Sequence, residues 1–161
     1  MRSNIINILI ILSLVSIAVV AGCIGQYTTP TNEVNYSDNV SLGEIVFCKT
    51  SPNLADESLC DRIGSTTIKS LSYLAAKSTN FSTVEGNWSA TCYTNVTDEN
   101  GTTVLSGAST AMSVKSDRRM LCQVPIDAKT MTEGNYNVLF KVRDNNNYRM
   151  VQTDADFKVQ H

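Results

Sequence analysis

The sequence predicts an all-β fold, an antiparallel β-sandwich that follows an N-terminal apolar segment and a polar tether. Two observations predict it. Apolar and polar residues alternate through several runs in the second half of the chain, and clusters of Asn, Asp and Gly separate those runs. Alternation with a period of two is typical of strands that have one buried face. Several short strands divided by turns indicate two packed antiparallel sheets.

Residues 1–22 predict a signal peptide or a membrane anchor helix. An uncharged apolar stretch begins at Ile5 and ends in Val20-Ala21-Gly22-Cys23. This ending resembles the lipobox of lipoprotein signal peptides, which implies cleavage before Cys23 and lipidation of its thiol. The following Cys23-Ile24-Gly25-Gln26 is similar to the start of archaeal lipoproteins. Because about 20 apolar residues also suffice to cross a bilayer, an uncleaved single-pass anchor is the alternative.

Residues 23–42 are polar and show no apolar period, which predicts a tether between the membrane and a folded domain. As a flexible coil, this segment would span roughly 25 Å. We assign residues 43–65 to a lead-in segment closed by a disulfide and residues 66–161 to the sandwich.

The predicted strands are clearest around two of the cysteines. In residues 87–96 the even positions are mostly apolar and include Trp88 and Cys92, whereas the odd positions are polar or aromatic. Residues 120–126 alternate in the same way, so Cys122 also points inward. Both cysteines are therefore expected on the core face of their strands.

The last third of the chain predicts a hairpin. Apolar residues fall at alternate positions after Gly134 and again in residues 155–159, with a turn at residues 144–147. Residues 98–101 predict another hairpin turn, because their Asn-Gly pair readily adopts positive φ. Residues 66–77 fit strand and helix patterns about equally well, and we favour the strand.

Residues 134–144 and the terminal Phe157-Lys158-Val159 resemble the last two strands of immunoglobulin-like surface domains. Gly134, two residues before Tyr136, is similar to the tyrosine corner of that fold. Val138 departs from antibody-type domains, which have their second cysteine at that position. The resemblance covers residues 66–161 and implies an immunoglobulin-like sandwich, whereas function does not follow from the fold.

Five cysteines are present, and lipidation of Cys23 leaves an even number for disulfides in an oxidising compartment. Four cysteines allow three pairings, and the sequence alone leaves all three open. Proximity favours Cys48 with Cys60 and Cys92 with Cys122, and the inward positions of the second pair favour it further. The chain has no Cys-x-x-Cys pair, which disfavours a redox site or a zinc ribbon.

Six Asn-x-Ser/Thr motifs predict candidate N-glycan acceptors on loops or exposed strand faces. A chain rich in Asn, Ser and Thr also produces such motifs by chance, so no single site is assigned. The candidates are Asn35, Asn39, Asn80, Asn87, Asn95 and Asn100.

Composition and motifs disfavour several classes of function. The 13 basic and 15 acidic residues argue against a nucleic-acid partner, which requires a clustered basic surface. The only histidine is His161, and the chain carries no nucleophile elbow, phosphate loop or EF-hand spacing. Calcium remains a minor alternative at residues 144–147. We therefore predict no enzymatic activity, no cofactor and no metal site.

These observations together predict a non-catalytic surface domain, anchored to the extracytoplasmic face of a membrane, for binding, adhesion, or envelope or filament assembly. The expected partners are the membrane, through the N-terminus, and other surface or envelope proteins or glycans. The alternative is an accessory ligand-binding lipoprotein of a transport or carbohydrate system, which requires a concave pocket.

Overall fold

The computed structural model describes residues 34–35, 39–113 and 118–161, all within one compact unit of the chain. Over this part of the chain the fold is all-β, as predicted, with one 3-10 turn at Ala128–Thr130. The predicted signal peptide or anchor and Cys23 lie outside the described residues. The strands are β1 (Val34–Asn35), β2 (Ser41–Leu42), β3 (Val46–Cys48), β4 (Thr67–Ile68), β5 (Ser72–Thr79), β6 (Thr83–Val84), β7 (Trp88–Asp98), β8 (Thr103–Ser113), β9 (Arg119–Ile126), β10 (Gly134–Asp144) and β11 (Met150–Val159).

The strands form two main sheets and one small pair. The larger sheet has five strands in the order β4-β11-β10-β7-β8, and its one parallel pairing joins β4 to β11. In the smaller sheet, β5 is central: it pairs with β9 on one side and with β2 and β3 on the other. Strands β1 and β6 pair with each other.

Side chains from both main sheets share one hydrophobic core. Val96 and Phe140 of the larger sheet belong to the same buried cluster as Leu74 and Val124 of the smaller sheet. The Cys92–Cys122 disulfide links β7 to β9 within this cluster, which confirms the pairing favoured by the alternation of residues. The two sheets are therefore joined both by apolar packing and by a covalent bond.

Both predicted hairpin turns are confirmed. Residues 99–102 connect β7 to β8, and Gly101 has a φ of 78°, a conformation that glycine adopts without steric cost. Residues 145–149 connect β10 to β11, which pair antiparallel along their whole length. The turn residues therefore set the ends of the two longest hairpins, as the sequence predicts.

Strand β5 has buried residues on both faces at its middle, which explains why its sequence showed no clear period. Leu74 and Ala76 face the main core, whereas Ala75 faces a second cluster that contains Cys48 and Cys60. Burial on both faces replaces alternation with a short apolar run, here Leu74-Ala75-Ala76. The predicted strand is therefore confirmed, although it begins at Ser72.

The folded region begins earlier than the predicted boundary at residue 43. Val40 is buried in the main core, and Ser41–Leu42 pairs with β5 as strand β2. The hydroxyl of Ser78 donates to the Ser41 carbonyl over 2.7 Å and fixes this contact. The end of the predicted tether therefore belongs to the domain. The sequence did not reveal this, because a two-residue strand is too short to produce a visible period.

The loop closed by the Cys48–Cys60 disulfide, here called the stapled loop (residues 48–60), covers part of the outer face of the smaller sheet. The disulfide confirms the predicted pairing, and Leu59 packs with it against β5. The loop is also held by hydrogen bonds that the hydroxyl and backbone N–H of Ser58 donate to Asp56, and these lower the pKa of the Asp56 carboxyl. The segment is thus part of the fold, because β3 joins it to the sheet.

Strand β10 shows the alternation that the sequence predicts, and Tyr136 anchors its beginning. The Tyr136 ring stacks on Phe157 with 5.4 Å between ring centroids, and its hydroxyl donates to the Thr132 carbonyl over 2.7 Å. This bond ties the start of the strand to the chain four residues upstream. The buried positions along the strand are Tyr136, Val138, Phe140, Val142 and Asp144.

We predict that Tyr136→Phe lowers the free energy of unfolding by about 1 kcal/mol, because the ring contacts remain while a partly buried hydrogen bond is lost. Urea denaturation followed by the fluorescence of Trp88, the only tryptophan, measures the change. Tyr148→Phe is the control, since Tyr148 is 75% exposed. An equal effect of the two substitutions would contradict a role for the Tyr136 hydroxyl.

Candidate functional site at the edge of the larger sheet

Strand β8, residues Thr103–Ser113, is an exposed strand at the edge of the larger sheet. It pairs with β7, and no other strand in the described part of the chain pairs with it. Its sequence, TVLSGASTAMS, contains no charged residue, no proline and no asparagine. Most of its side chains are exposed, and Val104 is 48% exposed. We call this strand the β8 edge.

The β8 edge offers backbone hydrogen-bonding groups to a partner strand. In an antiparallel ladder, every second residue directs its N–H and C=O away from the neighbouring strand. About five of the eleven residues of β8 therefore present unpaired backbone groups outward. Such a row of donors and acceptors is a template for another strand.

The other sheet edges in the described residues carry features that block strand addition. Strand β9 has Pro125, which lacks a backbone N–H, and it begins with the charged Arg119. Strands β2 and β4 have two residues each, and β3 has three. Strand β11 is covered by β4 only at Lys158 and Val159, and the rest of its edge carries the charged Asp154 and Asp156. Short strands, charges, proline and β-bulges are the usual protections of sheet edges. The β8 edge has none of the first three, and its one bulge lies near the turn that precedes it.

One irregularity lies near the beginning of the β8 edge. Val96 pairs with Leu105 and Thr97 with Thr103, so Val104 is an extra residue in the ladder between β7 and β8. From Leu105 to Ser113 the register is continuous. The bulge therefore affects the end near the turn and leaves a regular stretch that could receive a strand.

A polar groove of about 540 Å³ lies at one end of the larger sheet, between the turn after β7 and the ends of β10 and β11. Two of its three carboxyl groups, those of Asp98 and Asp156, each use one oxygen in hydrogen bonds within the protein. Asp98 accepts hydrogen bonds from the backbone N–H groups of Asn100 and Thr102, and Asp156 accepts one from the Asn137 side chain. The groove therefore offers a ligand fewer free polar groups than its lining residues alone would indicate. Those residues are Thr66, Asp98, Glu99, Asn135, Tyr136, Asn137, Asp156, Phe157 and Lys158.

The turn at residues 144–147 was the minor calcium candidate, and its side chains form hydrogen bonds within the protein. The two carboxyl oxygens of Asp144 accept from the backbone N–H groups of Ser82 and Asn146. The side chain of Asn145 bonds to Ser89 and Thr91. Among the described residues, no three Asp, Glu, Cys or His side chains gather closely enough to hold a metal ion.

The candidate glycan acceptors for which the structure gives side-chain exposure all lie outside the core. Asn39, Asn80, Asn87 and Asn100 are exposed, and Asn95 on β7 is half-buried. Asn35 lies in β1, and its side chain is outside the described part of the molecule. Glycosylation at these positions stays a prediction, as does lipidation of Cys23.

The sequence did not identify the β8 edge, because both faces of this strand are largely exposed and give no apolar alternation. A different signal was present. Eleven uncharged residues follow a turn that contains an Asn-Gly pair, and a hairpin requires a second strand there.

Comparison with known proteins finds no family model that matches the chain and no similar protein among the curated ones. Along residues 34–35, 39–113 and 118–161, no helix is long and apolar enough to cross a membrane.

Proposed function

We propose that this chain is a non-catalytic surface domain, held at the extracytoplasmic face of a membrane by its N-terminus, for binding, adhesion, or envelope or filament assembly. The observation that carries the proposal is the use of the cysteines. Two disulfides engage Cys48, Cys60, Cys92 and Cys122, which leaves Cys23 at the end of the apolar stretch. Paired structural disulfides persist in oxidising compartments outside the cytosol.

We also propose that the folded region is an immunoglobulin-like antiparallel β-sandwich. The shared core of the two main sheets and the Cys92–Cys122 bond between them support this assignment. The hydrogen bond from Tyr136 to the carbonyl four residues upstream has the form of a tyrosine corner. The disulfide joins β7 to β9, so its position differs from that of antibody-type domains.

The β8 edge supports assembly as the role of the domain. A strand edge binds through main-chain hydrogen bonds and needs no catalytic or cofactor group. The mild excess of acidic residues supports the expectation that nucleic acid is not a partner. The proposed partners are the membrane and other surface proteins or glycans.

An accessory ligand-binding lipoprotein of a transport or carbohydrate system is the second candidate function. The polar groove near Asp98 and Asp156 is the observation that favours it, since its volume of about 540 Å³ falls within the range of small-molecule sites. Titration with a panel of neutral and basic sugars, followed by NMR shifts at groove residues, tests this candidate. Saturable shifts at Asn137 and Lys158 would favour it over assembly.

We predict that Cys23→Ser releases the protein from the membrane fraction or leaves its signal segment uncleaved, because the residue that would carry the lipid is lost. Intact mass and detergent partitioning measure both outcomes. Ser16→Ala is the control, since it alters the apolar stretch without touching Cys23.

Unchanged mass and partitioning in Cys23→Ser would contradict lipidation and favour the retained anchor. Full-length protein found soluble in the cytosol, with all thiols reduced, would overturn the proposed function itself. Mass spectrometry of the native protein tests the glycan candidates in the same preparation.

A further inference from the structure

We propose that the β8 edge pairs antiparallel with the β8 edge of a second copy of this chain, so that the two larger sheets join into one. Ala108 would lie opposite the partner's Ala108, on the two-fold axis. This inference rests on the proposed function, since it identifies the partner in assembly as the chain itself. Its first support is the long, uncharged edge described above, which is regular from Leu105 to Ser113.

The sequence of β8 is nearly palindromic in its chemistry, which favours a second copy over an unrelated strand. Around Ala108, the hydroxyl of Ser106 mirrors that of Thr110, and the small Gly107 mirrors Ser109. Further out, the apolar Leu105 mirrors Ala111. An antiparallel pair of identical strands places each residue opposite its mirror position, so Ser106 and Thr110 would pair hydroxyl with hydroxyl, and Leu105 and Ala111 would pair apolar with apolar.

The exposure of two residues supports the same register. Leu105 and Ala111 are partly buried and pack against the main core, at the margin of the larger sheet. In the proposed pair, Leu105 lies opposite the partner's Ala111 on the core-facing side, and each pair extends the apolar face of the joined sheet. A slip by one residue would turn the core faces of the two copies to opposite sides.

Charge favours the antiparallel direction. The β8 edge is uncharged, so two copies meet without repulsion along the strand. The acidic Asp98, the last residue of β7, and Glu99, in the turn that follows, both lie near the beginning of β8. Antiparallel pairing about Ala108 separates the two turns by roughly 40 Å or more, whereas parallel pairing would bring these carboxyl groups together.

Cysteine cross-linking of the full-length chain in membranes tests both the contact and the register. Directly opposite residues in an antiparallel pair have Cα atoms about 4.5–5.5 Å apart, within the span of a disulfide. Ala108→Cys is therefore expected to form a covalent dimer on mild oxidation. Ser106→Cys is the matched control, because in the proposed register the two copies of position 106 lie about 14 Å apart.

The expected result is at least about fivefold more dimer from Ala108→Cys than from Ser106→Cys, and restored cross-linking in the double variant Ser106→Cys, Thr110→Cys. Equal cross-linking by the two single variants would overturn the register. Absence of dimer from Ala108→Cys, with the protein oxidised and at the membrane, would overturn the inference and leave the proposed function standing.

A charge at the axis provides a second test that needs no new cysteine. Ala108→Lys places two like charges opposite each other and is expected to convert a detergent-solubilised dimer into a monomer, as measured by light scattering. Gln123→Lys, on the exposed side of β9, is the control and is expected to leave the dimer unchanged. A wild-type chain that is monomeric at all concentrations, or a dimer that persists in Ala108→Lys, would refute pairing through β8.

Discussion

Replacement of both Cys92 and Cys122 by alanine is expected to lower the free energy of unfolding by about 4–5 kcal/mol. The disulfide spans 30 residues, so its loss releases roughly 3.5 kcal/mol of chain entropy to the unfolded state. Both cysteines are also buried in the main core, where the smaller alanines leave space. For a domain of this size, a loss of this magnitude corresponds to a fall in Tm of about 15 °C.

Trp88 provides the measurement. It is the only tryptophan, it is 4% exposed, and it lies on β7 together with Cys92. Its emission therefore reports loss of the core during denaturation in urea. The double alanine variant is compared with the wild type in the same detergent, with free thiols blocked.

The Cys48→Ala, Cys60→Ala double variant is the matched control for the core disulfide. It opens a loop of 12 residues, for which the entropic loss is roughly 3 kcal/mol, and its cysteines belong to the smaller cluster outside the main core. We expect a smaller fall in stability and little change in Trp88 emission. A larger loss from this pair than from Cys92 and Cys122 would contradict the assignment of the main core.

The strands that the sequence predicted correctly are those with one buried face. In β10 and in the end of β11, apolar residues face the shared core at every second position, because the other face of the larger sheet meets solvent. The same geometry placed Cys92 and Cys122 inward and favoured their pairing. Local periodicity carried this information, so no knowledge of the sheet order was required.

Other elements depend on contacts between distant residues that no local pattern contains. The middle of strand β5 has apolar residues on both faces, because the stapled loop covers Ala75 on the side away from the main core. Strands β2 and β3 are too short to show a period, and they exist because β5 pairs with them. The β8 edge gave no period either, since the core ends at its margin and both of its faces are largely exposed.

The candidate site, the β8 edge, was therefore the feature that the sequence analysis missed. The property that makes it a candidate site, its exposure, is also the property that hides it in the sequence. A strand that buries little apolar surface produces no alternation, and an edge left without protection offers its backbone to a partner. From the anchor and the cysteines, the sequence predicted a surface domain for binding, adhesion, or envelope or filament assembly. To identify β8 as an edge, the order of strands in the larger sheet had to be known.

Substitution of Asp144 by alanine is expected to lower the free energy of unfolding by about 3 kcal/mol. The side chain is fully buried, and its oxygens accept from the backbone N–H groups of Ser82, at 2.7 Å, and Asn146, at 3.0 Å. Its removal leaves these two N–H groups without their acceptors, and it weakens the connection between the β10–β11 turn and Ser82. Asp144→Asn is expected to lose about half as much, since the amide keeps one acceptor but turns an NH₂ toward a donor.

Asp98→Ala separates the effect of burial from the number of hydrogen bonds. Asp98 also accepts from two backbone N–H groups, those of Asn100 and Thr102, but it lies at a solvent-exposed turn. Water replaces its oxygens there, so we expect a loss of about 1 kcal/mol. Urea denaturation of the two alanine variants in parallel measures the difference. If Asp98→Ala lowered the free energy of unfolding as much as Asp144→Ala, that result would contradict a special contribution from the buried contact between Asp144 and Ser82.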